Sequence, residues 1–143
     1  AILVADDSNA EMLEKYKAAI TAAKATPFIV APKISITLNN GETIAADGQL
    51  AGSPSVLFDA IVSIIMPEQA KKLAKVSEAI AWFKDAYAHL KAIAYCGATD
   101  EFILIPQHIE KDASVVALKE IDTFIEKAKS REWDREPNVR DLA

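Results

Sequence analysis

The chain has one cysteine in 143 residues, Cys96, so no internal disulfide can hold it together. It has only 4 glycines, and 51% of its residues are hydrophobic against 26% charged, which argues against a disordered chain. Positive charge is short: 16 Lys and Arg face 21 Asp and Glu, for a net charge of -5. That balance argues against nucleic acid or a membrane surface as a partner. No apolar run reaches the ~18 residues that a membrane span needs. His89 and His108 stand far apart with no Cys/His partner at ligand spacing, so no metal site is expected. There is no G-x-G-x-x-G and no phosphate loop, hence no sign of a nucleotide. No N-x-S/T acceptor occurs either. The opening “AILVA” follows no basic region and is too short for a signal peptide. The chain starts without Met, directly on strand-like residues, as expected of a piece of a longer protein cut at a domain edge.

What is present is the alternation of an α/β fold. “AILVA” (Ala1–Ala5) is the continuous apolar run of a buried parallel strand. After “DDSN” a helix is predicted from about Ala10 to Lys24, with Leu13, Tyr16, Ile20 and Ala23 on one face. Ser8 and Glu11 have capping-box spacing at its start. “PFIVA” (Pro27–Ala31) is a second strand, and “ISITLNNGETIAAD” reads as a hairpin turning at Asn39-Asn40-Gly41. “GSP” (Gly52–Pro54) precedes a central strand, “FDAIVSII” (Phe58–Ile65). Glu68 to about Leu90 is helical, with a bend near Lys75–Ser77 and Val76, Ile80, Phe83, Tyr87 and Leu90 on one face. “AIAYC” is the fourth parallel strand, followed by a short helix over Ala98–Ile105 that Pro106 closes. A long amphipathic helix over Ala113–Lys129 is predicted to turn Val116, Ala117, Ile121, Phe124, Ile125 and Ala128 inward. The tail “REWDREPNVRDLA” reads as charged and irregular, with Trp133 as its anchor. The expected architecture is a three-layer α/β sandwich with a mostly parallel sheet and a β-hairpin insertion over residues 1–130, and a charged tail over 131–143.

Ligands of open α/β sheets sit beyond the carboxyl ends of the strands. Three spots gather there: Asp6-Asp7 with Glu11, Pro67-Glu68-Gln69, and Cys96-Gly97. “AIAYCGATDEF” has the shape of a strand-to-helix elbow that exposes a nucleophile. Two readings stand for Cys96: a reactive thiol, or a small buried hydrophobe at a strand end. Glu11 is either the carboxylate beside that thiol or a helix cap. Asp6-Asp7 reads as a solvated loop rather than a cation site, Trp82 and Phe83 as core, and Lys71, Lys72 and Lys75 as a solvated helix face.

The first strand–helix–strand, “AILVADDSNAEMLEKYKAAITAAKATPFIVAP”, resembles that of the class I glutamine amidotransferase-like superfamily, which includes the DJ-1/PfpI proteins. “ADGQLAGSPSVLFDAIVSIIMP”, followed by “DAYAHLKAIAYCGATDEF”, is similar to the C-terminal flavodoxin-like domain of large-subunit catalases, and the resemblance implies a fungal source. The superfamily places its nucleophile in an “A-I-C-x-G-P” elbow, with a glutamate from the first helix. An ungapped match puts Gly97 at the elbow and Leu13 at the glutamate position. The “P-G-G” that serves an oxyanion is here “MPEQ”. The resemblance therefore implies a fold kept and a chemistry lost. No catalytic residue is expected; Cys96 and Glu11 are the weak candidates, and the register predicts that Cys96 points into packing.

By resemblance the parent decomposes hydrogen peroxide with haem and is a homotetramer. The haem lies in the core, so no cofactor is expected in this chain. The domain's partners are then that core, its tetramer mates and unfolded client proteins, with stabilising and chaperone-like protection as the function. The alternative is a DJ-1/PfpI-like hydrolase, deglycase or redox sensor using Cys96. Localisation follows the parent, secreted or cell-wall in one case and cytoplasmic in the other.

Overall fold

The first apolar run forms β1 (Ile2–Val4) at the middle of a six-stranded sheet in the computed structural model, which describes residues 1–142. Ala143, the last residue of the expected tail, lies outside the described residues. Helix α1 (Ala10–Ala22) leads to β2 (Ile29–Ala31), and the hairpin β3 (Ser35–Thr37) and β4 (Thr43–Ala45) follows. Strand β5 (Gly48–Gln49) and two short 3-10 turns precede β6 (Ala60–Ile64). Helices α2 (Pro67–Leu73) and α3 (Ser77–Ala88) break apart where the bend was predicted, and then β7 (Ala92–Tyr95) returns to the sheet. Beyond it come the short α4 (Gly97–Thr99) running into a π-helical turn (Asp100–Leu104), β8 (Val115–Ala117), α5 (Ile121–Ala128) and α6 (Glu136–Leu142).

The strand order is β5-β2-β1-β6-β7-β8, and every neighbouring pair is parallel. The middle of that order is the flavodoxin-like one, with β5 added at one edge. Alternating side chains divide the core in two, as strand geometry dictates. Leu3, Val30, Ile61, Ile93 and Val115 face Trp82, Phe83 and Leu104 on one side. Ile2, Ile29, Val62, Ala92 and Ala94 face Leu13, Tyr16, Ile20 and Phe124 on the other. Three layers result, with α1 and α5 on one face of the sheet and α2, α3 and α6 on the opposite face. Among the described residues, no helix is long and apolar enough to cross a membrane.

The hairpin forms where Asn39-Asn40-Gly41 placed it: Ser35, Ile36 and Thr37 pair with Ala45, Ile44 and Thr43, and Gly41 supplies the positive φ of 86°. Three expectations are corrected. The helix over Ala113–Lys129 is a strand and a shorter helix. Without β8, the edge of β7 would expose its hydrogen-bonding groups, and the run Val115-Val116 suits a strand. Ile93 N donates to Ser114 O at 2.8 Å and Leu118 N to Tyr95 O at 2.9 Å, so Val116 and Ala117 belong to the sheet.

The capping box of Ser8 and Glu11 is also absent. Asn9 is the cap, its side chain accepting from Met12 N at 2.8 Å, while Ser8 is turned into the core. The tail, finally, is helical over most of its length. Trp133 does not anchor it, being 69% exposed; the fully buried residue is Arg135.

Candidate functional site

At the carboxyl ends of β6 and β7 the chain brings four polar side chains into the interior. Cys96 Sγ lies 3.2 Å from Ile65 O and donates to it, and 3.1 Å from Thr99 Oγ1. Thr99 Oγ1 lies 2.6 Å from Ser63 Oγ. Ser8 Oγ accepts from Ala5 N at 2.9 Å and donates to Ile64 O at 2.5 Å. Ser8, Ser63 and Thr99 are fully buried, and Cys96 is half-buried against the core. Each hydroxyl satisfies backbone or side-chain partners that the ends of parallel strands leave open. The bond to Ile65 requires the proton of the thiol itself, and among the described residues no Lys or Arg hydrogen-bonds to the sulfur.

The elbow is relaxed. Cys96 has φ -89° and ψ 164°, ordinary extended backbone. The non-glycine residues with positive φ are Asp7, Lys24, Leu90 and His108, none of them at the elbow. Gly97 opens α4 without a positive φ, and a Cβ added there would meet nothing within 4 Å. Across from it, Pro67 stands at the start of α2, and Glu68 turns to Lys71 at 3.5 Å.

Glu11 does not join this cluster. It is 81% exposed and pairs with Lys15 at 3.3 Å along α1. Asp6 holds the hairpin instead of a ligand, accepting from Lys33 Nζ at 2.6 Å and Thr37 N at 3.0 Å. Those two hydrogen bonds, Lys33 first, hold its carboxyl below the usual range. Asp7 takes the left-handed turn, with φ 68°, and its N–H donates to Thr37 O at 2.8 Å. Trp82 and Phe83 pack in the core edge to face at 5.3 Å, and Lys71, Lys72 and Lys75 lie on the exposed face of α2 and its end.

The block “DG…AGSPS…FDA” is a clasp across the sheet edge. Asp47 Oδ2 accepts from Ile29 N at 2.7 Å, and β5 pairs Gly48 with Val30. Ser53 O accepts the indole N–H of Trp82 at 3.0 Å. Ser55 O and Val56 O accept from the buried Lys91 Nζ at 2.9 and 3.0 Å. Burial of that ammonium, with the charge of Arg131 adding to it, pushes its pKa below the usual lysine value. Phe58 stacks on Phe28 at 5.1 Å. Reasoning from motifs alone gave Ser8 a capping role and missed Ser63, Thr99, Lys91 and Arg135, because single hydroxyls and cations carry no spacing signal.

Residues 1–131 match the family described as the C-terminal domain found in long catalases. Catalase C of Rhizobium meliloti is 34% identical over 145 residues, covering 97% of this chain and 21% of that protein. Catalase-1 of Neurospora crassa is 31% identical over 133 residues, covering 85% and 18%. The chain therefore spans about a fifth of the length of these curated relatives. One is bacterial and one fungal, so they do not assign the expected fungal source. In fold, the chain is similar to a mutant of a DJ-1 superfamily protein from Salmonella typhimurium, with a TM-score of 0.72 at 15% identity over 99% of this chain and 95% of that one. Oxidized DJ-1 of Toxoplasma gondii gives 0.68 at 13% identity over 99% and 96%. At these identities the likeness is one of fold alone.

Proposed function

The chain belongs to the family of C-terminal domains found in long catalases, and we propose that it is a non-catalytic accessory domain of a large-subunit haem catalase. In this reading the peroxide chemistry belongs to the catalase core of the same polypeptide. The domain stabilises that enzyme and its tetramer, and gives chaperone-like protection to unfolded clients under stress. Its location follows the parent.

The observation that carries the reading is the relaxed elbow: Cys96 in extended backbone, its proton directed at Ile65 O. A nucleophile elbow works by holding its side chain exposed on a strained turn with an oxyanion site beside it. Here the side chain is engaged inward, and Glu11 is paired on the surface with Lys15. The residues that carry the family likeness, from Asp47 to Asp59, are engaged in structural hydrogen bonds.

In this reading haem lies in the catalase core of the same polypeptide. His89 and His108 stand on the exposed surface, and the thiol of Cys96 is bound to a backbone carbonyl.

The full-length polypeptide is expected to carry a catalase core ahead of Ala1 and to decompose hydrogen peroxide; a polypeptide without one contradicts the accessory role. A heated client mixed with the domain at near-equal molar ratio is expected to aggregate more slowly. Unchanged aggregation with the domain still folded removes the protective part. Rapid alkylation of Cys96 at neutral pH, with loss of a hydrolase or deglycase activity in Cys96→Ser, supports the enzymatic alternative instead.

A further inference from the structure

We propose that the amino-terminal edge of the sheet is the seat of the segment that leads into Ala1 in the long catalase polypeptide, an extended stretch with apolar and acidic side chains. The inference rests on the accessory-domain reading and adds to it the face and the occupant.

Ala1 lies on the floor of that edge. Its N–H donates to Ala60 O at 2.9 Å, and its carbonyl accepts from Val62 N at 2.8 Å, so it is held in register with β6. A residue preceding it leaves the sheet in the direction of β1 and enters a groove of about 500 Å³. Leu57, Phe58, Ile125 and Ala128 give this groove its apolar wall, with Lys24 and Lys129 at its rim. A second cleft of about 390 Å³ continues it, lined by Val56 and Trp133 with Lys91 and Arg131. Val56 of the second cleft and Leu57 of the first are consecutive residues of one 3-10 turn.

Three large hydrophobic side chains are exposed along this path: Val56 at 53%, Leu57 at 68% and Trp133 at 69%. A group of exposed apolar side chains that includes a tryptophan is the composition of an interface core rather than of free surface. The rim offers cations to an acidic segment: Lys24 and Arg131 line the two clefts, and Lys129 stands beside them, shared with Glu126 at 3.1 Å, while the Lys91 ammonium is buried and held by Ser55 O and Val56 O. The other strongly exposed aliphatics, Ile34 and Ile105, follow the carboxyl ends of β2 and β7 and lie away from the point of entry. Since the curated relatives are about five times as long as this chain, and the family sits at their C-terminal end, the lead-in is the one stretch of such a polypeptide tied to this edge.

The experiment is hydroxyl-radical footprinting of the full-length polypeptide, each residue normalised to its own rate in urea. Leu57 and Trp133 are expected to be protected at least fivefold, while Ile34 and Ile105 label near their unfolded rates. Equal labelling of all four, or protection confined to Ile34 and Ile105, overturns the docking face and leaves the accessory role standing. A polypeptide without a catalase core overturns both. Zero-length cross-linking of carboxyl groups to amines identifies the occupant. Links from Lys24 or Lys129 to the residues ahead of Ala1 in the same subunit are expected. Links only to another subunit or to added client protein overturn the assignment.

Discussion

Arg135 lies across both carboxylate oxygens of Asp112, Nε 2.6 Å from Oδ2 and Nη2 3.1 Å from Oδ1. Its Nη1 donates to Tyr87 O and Lys91 O, both at 3.0 Å, and the guanidinium sits 4.4 Å from the centroid of the Tyr87 ring. Asp112 in turn accepts from Ser114 N at 2.9 Å at the entrance to β8. One fully buried cation thus joins the C-terminal segment, the end of α3 and the start of the edge strand. It lies just past the residues that match the family, which end at 131.

Removing the anion strands a buried charge, whereas removing the cation leaves Asp112, 27% exposed, within reach of water. Asp112→Ala is therefore expected to cost about 3–5 kcal/mol. Arg135→Met is expected to cost about 1–3 kcal/mol, for the carbonyls it leaves unpaired. Urea denaturation of the two variants checks the order; a larger loss in Arg135→Met contradicts it.

The same pair sets an acid limit. Burial alone would raise the Asp112 carboxyl, but the hydrogen bond from Arg135, the Ser114 and Val115 amides and the guanidinium charge together outweigh it and leave it below the usual range. A carboxyl depressed by folding stabilises the native state only while ionised. Its contribution is complete above the unfolded value of about 4 and is lost as pH falls toward the native one. Asp6 has the same sign through Lys33 and Thr37. Thermal melts are expected to fall below about pH 4, and less steeply in Asp112→Asn. An equal fall in that variant contradicts the assignment.

The glycines at positions 48 and 97 are expected to behave oppositely. A Cβ at Gly48 collides with the Ser53 hydroxyl and stands 3.0 Å from Phe28 Cε1, inside the clasp. Gly48→Ala is expected to cost about 1–3 kcal/mol. Gly97 has open space and no positive φ, so Gly97→Ala is expected to be neutral or to stabilise by up to about 1 kcal/mol. Calorimetry of both variants decides; a costly Gly97→Ala would mean that the elbow requires glycine.

The thiol of Cys96 is expected to react as a packed group. Its alkylation at neutral pH should be at least tenfold slower than in urea. Cys96→Ser keeps a donor for Ile65 O and is expected to cost less than about 1 kcal/mol, whereas Cys96→Val leaves that carbonyl unpaired at about 1–3 kcal/mol. Native alkylation as fast as in urea contradicts the packing.

The long apolar runs were legible because buried parallel strands announce themselves by composition: β1, β2, β6 and β7 fall where “AILVA”, “PFIVA”, “FDAIVSII” and “AIAYC” put them. Strand β8 was hidden because Ala117, Ile121, Phe124 and Ala128 continue a helical spacing backwards into it. Only the open edge of β7, a tertiary fact, turns that stretch into sheet. The cap moved from Ser8 to Asn9 for a similar reason: Ile64 O, distant in sequence, claims the serine hydroxyl. At the candidate site, the resemblance places Gly97 at the elbow, and the backbone at Cys96 beside it is ordinary extended chain. The Ser63–Thr99–Cys96 contacts depend on two strand ends meeting, which no local pattern encodes.

The most direct measurement compares three forms of the full-length enzyme: intact, Cys96→Ser, and lacking residues 1–143 of this domain. Peroxide turnover per haem is expected to stay within twofold in all three, while the half-life at elevated temperature falls at least fivefold only on deletion. Loss of a domain activity in Cys96→Ser, or an unchanged half-life on deletion, contradicts a stabilising, non-catalytic domain.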